Sequence, residues 1–88
     1  MEKINLIALK KLADRIIYQP NDGFLNISYM LESFSRVNEF LTIEEIQEKI
    51  ISYLDVDCSW GDGSWTSHGS WIWHSWLSVK AKLEGMGF

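Results

Sequence analysis

Cys58, His68 and His74 are the side chains of this sequence with the chemistry to ligate a metal or to form a nucleophile and base, and Asp57 and Asp62 lie close to them. Structural zinc sites are built from tight ligand pairs such as C-x2-C or H-x3-H, which let one turn present two ligands to one ion. Here the spacing is C-x9-H-x5-H, and no such pair exists. Asp55, Asp57 and Ser59 have the alternation of the first ligands of a calcium loop. That loop then needs glycine at its sixth position and a bidentate glutamate at its twelfth, and this chain has Trp60 and Thr66 there. A thiolate pair of Cys58 with His68 or His74 would resemble a cysteine nucleophile, but a lone cysteine is more often inert packing. Serine, histidine and aspartate are frequent enough between Ser59 and Ser75 that triad-like sets arise from composition alone. No glycine elbow, phosphate loop or dinucleotide fingerprint occurs. The expectation is therefore no catalytic residue, no metal site and no cofactor.

The same segment, SWGDGSWTSHGSWIWHSW from Ser59 to Trp76, holds all five tryptophans. Ser-Trp recurs at spacings of 5, 6 and 5. Neither five nor six returns to one helix face, and five reverses a strand face, so the four copies cannot line one side of a regular element. Trp73 and Trp76, with Leu77 and Leu83, are expected to dock a last helix onto the core. Trp60 and Trp65 flank a glycine-rich turn, where a ring is hard to bury from both sides, and Trp71 is intermediate between the two environments. Tryptophan covers a large area at small entropic cost and is enriched at binding hot spots. Stacking on a sugar or a base is its other common surface use.

These side chains must be positioned by a small fold. Eighty-eight residues imply one domain, 1–88, with a thin core that buries roughly 60–65% of the unfolded surface. Residues 3–18 carry an amphipathic helical pattern, with Ile4, Ile7, Ala8, Leu12 and Ile16 on one face and Leu9, Ala13 and Ile17 widening it. Gln19 to Gly23 reads as a turn around Pro20. A second helix is expected over 27–38, capped by Asn26, with Ile27, Met30, Leu31, Phe34 and Val37 inward. Thr42-Ile43-Glu44-Glu45 is a capping box, Leu41 and Ile46 occupy staple positions, and a third helix over 43–54 buries Ile43, Ile46, Ile50, Tyr53 and Leu54. Asp62-Gly63 between Trp60 and Trp65 suggests a tight turn closing a short β-hairpin. Ser67 to Ser70 reads as a flexible piece, and a fourth helix as 70–84, with Gly85 at its C′ position. The fold class is mainly α: a three- to four-helix domain with an aromatic Gly/Ser loop or short hairpin before the last helix.

The net charge is −4 and unevenly spread. Between Glu39 and Asp62 seven acids face the single base Lys49, a net of −6, while the first 38 residues sum to +1. An acidic middle argues against a nucleic-acid binder, which clusters lysine and arginine, and against a helix-turn-helix reader, whose recognition helix is basic. No apolar run approaches the roughly 20 residues that span a bilayer, and no membrane association is expected. The first residues lack a signal-peptide pattern, and one cysteine fits a reducing compartment, so the expected location is cytoplasmic. The sequon Asn26-Ile27-Ser28 then carries no weight. The functional expectation is an acidic protein-binding module of the inhibitor, immunity-protein or antitoxin type that occludes a larger basic protein partner. Its candidate partner-binding residues are Trp60, Trp65 and Trp71 with Glu44, Glu45, Glu48, Asp55, Asp57 and Asp62. The alternatives are a small-ligand or carbohydrate-binding domain using the tryptophan loop, or a structural subunit of a larger assembly.

Overall fold

A computed structural model describes residues 2–17 and 25–88. The expected turn at Gln19 to Gly23 lies outside the described residues. The element order is β1 (Ile4–Asn5), α1 (Leu6–Ile16), α2 (Ile27–Ser35), β2 (Phe40–Leu41), α3 (Ile43–Asp57) and α4 (Ser67–Gly85). The fold is thus mainly helical.

The first helix starts later than its periodicity predicts, because Ile4 and Asn5 form a short strand and Asn5 serves again as the helix cap. They pair antiparallel with Leu41 and Phe40. The Asn5 side chain then caps α1, its Oδ1 accepting from the N–H groups of Ile7 at 2.9 Å and Ala8 at 3.0 Å. The inward stripe also differs from the expected one. Leu6, Leu9 and Ala13 are buried, whereas Ala8 is exposed, Ile7 is 47% exposed and Ile16 40%. A helix holding apolar residues on most of its circumference leaves periodicity undecided, and here packing on α2 selects the 6/9/13 stripe.

The second helix has the expected Asn26 cap, whose side chain accepts from the Tyr29 N–H at 2.9 Å. It ends at Ser35, so Val37 lies beyond it and is exposed. The capping box of α3 is complete: the Thr42 N–H donates to Glu45 Oε1 at 2.9 Å and the Glu45 N–H to Thr42 Oγ1 at 3.2 Å. Ile46, Ile50 and Leu54 are fully buried, with Ile43 and Tyr53 partly so. The helix continues one turn past Leu54, which carries Val56 and Asp57 on helical backbone.

The last helix begins at Ser67 instead of Ser70. Thr66 caps it through its hydroxyl, which accepts from the Gly69 N–H at 3.1 Å, so the His68-Gly69 piece is its first turn. Gly69, Ile72, Trp76, Val79 and Leu83 form its buried stripe. Trp76 is fully buried and Trp73 partly buried, as expected of the pair that docks this helix, but Leu77 faces outward. The helix ends in a Schellman motif at Gly87 (φ +96°), not at Gly85: the Gly87 N–H bonds to the Glu84 carbonyl and the Phe88 N–H to the Leu83 carbonyl. α4 touches each of the other three helices and closes the core.

Candidate functional site

The expected hairpin is a small loop joining α3 to α4. Ser59 and Trp65 form an antiparallel bridge. The Trp60 N–H donates to the Ser64 carbonyl at 2.7 Å, and the Gly63 N–H to the Trp60 carbonyl at 2.9 Å. This is a three-residue loop, Gly61-Asp62-Gly63, whose third residue takes the left-handed backbone (φ +90°) that glycine adopts without strain. Asp62 stiffens it by accepting from both the N–H of Ser64 at 3.0 Å and its hydroxyl at 2.7 Å. Those bonds, the hydroxyl's first, hold the Asp62 carboxyl below its usual range.

The tryptophans divide into three environments. Trp60 stands out from the loop, 62% exposed. Trp65 is half-buried: its indole N–H donates to Asp55 Oδ1 at 2.8 Å, and its ring lies 5.5 Å from that of Trp73. Trp71, also half-buried, lies 5.3 Å from the His68 ring on the first turns of α4. Trp76 is wholly internal and donates to Gln47 Oε1 at 3.1 Å.

The carboxylates do not form one patch. Asp55 and Asp62 join Trp60 and Trp65 at the loop, and Asp57, near the C-terminal end of α3, adjoins it. Glu45, Glu48 and Asp57 line a groove on the outer face of α3. Glu44 lies at the other end of the helix, in a separate depression with Lys80 and Glu84. Fifteen residues of helix make α3 about 22 Å long, so Glu44 and Asp62 cannot touch one small ligand. Among the described residues the ion pairs are Lys10–Asp14 and Arg36–Glu32, and neither involves α3. Glu45 carries a second duty: the Thr42 N–H and hydroxyl hold its carboxyl below the usual range.

The groove on α3 also contains residues outside the expected set: Phe34 of α2, and Lys49, Ser52, Tyr53 and Val56 of α3. The signal for part of this set was present in the sequence. For the α3 residues Glu45, Lys49, Ser52 and Val56, the spacing i, i+4, i+7 and i+11 marks one face of the helix, turned away from the buried Ile46, Ile50 and Leu54, whereas Phe34 and Tyr53 are not part of that series.

Cys58 is buried against Gly69, and burial, then the nearby Asp57 charge, pushes its thiol up, away from the thiolate a nucleophile needs. His68 Nε2 lies 2.5 Å from the carbonyl oxygen of Leu25, a contact that requires the proton on Nε2, while His74 is exposed. Among the described residues no three His, Cys, Asp or Glu side chains come together as a metal site. No described helix is long and apolar enough to cross a membrane. No protein-family model, curated protein or solved structure matches this chain.

Proposed function

We propose that this chain is an acidic protein-binding module that occludes a basic protein partner, in the manner of an inhibitor, immunity protein or antitoxin. The observation that carries this reading is Trp60, an exposed indole on a hydrogen-bonded loop that also carries Asp62 and is tied through Trp65 to Asp55. A large ring on a loop whose backbone is ordered before binding loses less entropy on contact than one on a loose loop, which is the character of a hot-spot anchor. The Asp55 and Asp62 carboxylates steer a basic surface toward it and reject acidic ones. Trp65 and Asp55, bonded to each other, hold the loop on α3 and α4.

The test is affinity capture from a cell lysate with wild type and Trp60→Ala side by side, eluted in steps of salt. A single protein retained by wild type, released by salt and lost from Trp60→Ala supports the reading, provided the variant unfolds at the wild-type temperature. Equal retention by both removes Trp60 as the anchor. A shift of Trp60 emission on titration with glycans or nucleotides would replace the protein partner with a small ligand.

A further inference from the structure

We propose that the groove between α2 and the outer face of α3 receives a basic amphipathic segment of the partner, with lysine or arginine at its carboxylates and an apolar side chain against its apolar lining. This rests on the reading of the chain as a binder of basic protein, and it names the part of the partner that is held.

The groove has a volume of about 650 Å³. Its apolar lining is Phe34, Tyr53 and Val56, and Val56 is 79% exposed, an apolar side chain on the water face of a helix. Tyr53 and Asp57 are i and i+4 on α3 and share one side of it, and burial, then the Asp57 charge, raises the Tyr53 hydroxyl above its ordinary range. Glu48 and Asp57 lie nine residues apart on α3, about 14 Å along the axis and half a turn round it, so they flank from opposite sides the face that Glu45, Lys49, Ser52 and Val56 share. An extended segment spans that distance in about four residues. A partner strand with cations four positions apart and an apolar residue between them, laid obliquely across that face, would bring one long cationic side chain to each side and the apolar residue to Val56.

Apolarity alone would choose a different place. A second groove, about 430 Å³, runs between α1 and the end of α4 over Leu12, Phe40, Met86 and Phe88. Its rim carries Lys3 and Arg15 with Glu2, a balance that disfavours a cationic segment. Charge thus separates the two surfaces.

The test uses a synthetic peptide of leucine and lysine with lysines four residues apart, titrated into the ¹⁵N-labelled full chain and followed by amide shifts. A matched peptide with serine for leucine, and another with glutamate for lysine, serve as controls. The expected result is shifts confined to Ser52, Tyr53, Val56 and their neighbours, weakened by salt and absent with either control. Val56→Ser and Asp57→Asn, both at exposed positions, should each raise the Kd by about fivefold to tenfold. Shifts centred on Phe40 and Met86, or equal binding by the serine peptide, would overturn the proposal. So would unchanged affinity in both variants. The peptide reads the groove and lysate capture reads Trp60, so either can fail without the other.

Discussion

The indole N–H of Trp76 donates to the Gln47 side-chain oxygen across 3.1 Å, joining α4 to α3 where the tryptophan is wholly buried. Large apolar area and a satisfied polar handle meet in one residue. Trp76→Ala should cost about 3–5 kcal/mol, a large fraction of the stability of a domain this small. Trp76→Phe keeps most of the packing and leaves Gln47 Oε1 without that donor, so it should cost less. Urea unfolding of both variants checks the order.

Gly69 is required by contact. A Cβ built there would stand 2.9 Å from the Cβ of Cys58 and 3.1 Å from its carbonyl oxygen. Gly69→Ala should therefore destabilise by about 1–3 kcal/mol, despite alanine's better helix propensity. A variant at least as stable as wild type would show that the α3–α4 junction can open at no cost.

The thiol at that junction reports on its opening. Cys58 is buried and its ionisation is pushed up. A thiol reagent at pH 8 should label native protein far more slowly than urea-unfolded protein. Gly69→Ala should accelerate the native rate in proportion to its lost stability. Labelling as fast as in the unfolded chain would contradict the burial.

The Thr42–Glu45 box has a pH signature. Glu45 titrates below its ordinary value because its charged form accepts the Thr42 hydrogen bonds. A carboxyl depressed in the folded state stabilises above its unfolded pKa, about 4.3, and that contribution is lost as pH falls through the folded value. Glu45→Gln can still accept the Thr42 N–H, so its stability should lie close to wild type below pH 4 and fall behind above pH 5. Thr42→Ala should cost about 1 kcal/mol at neutral pH. Thermal unfolding across pH 3–7 checks both.

Trp60 and Trp76 should separate in fluorescence. Trp60→Phe should remove a red-shifted component quenched by acrylamide, and Trp76→Phe a blue-shifted one that resists it, following their 62% and 0% exposures. Loss of a blue-shifted component from Trp60→Phe would mean that the ring is covered in solution.

The legible parts of the fold are those where one local interaction decides. The Thr42 box, the Asn26 cap, the Asp62-Gly63 turn and the Ile46/Ile50/Leu54 stripe each involve residues within a few positions of one another, and the structure has all of them. The inward face of α1 was not legible, since Ile7 and Ile16 are as apolar as Leu6 and Leu9, and only the position of α2 separates them. The Schellman ending at Gly87 was missed because Gly85 offers the same chemistry two residues earlier.

By itself the sequence determined a helical domain with acids gathered along α3 and five aromatic rings in one segment, because composition and short-range periodicity are local properties. Tertiary structure decided which rings the molecule keeps for itself. Trp76 is taken into the core, where Gln47 of α3 accepts its N–H, Trp65 is tied down by Asp55 and Trp73, and Trp60 is left in water. It also divided the acids between the loop, the α3 groove and the far end of the helix. Burial depends on which surfaces of distant segments meet, and identical Ser-Trp dipeptides carry no record of that.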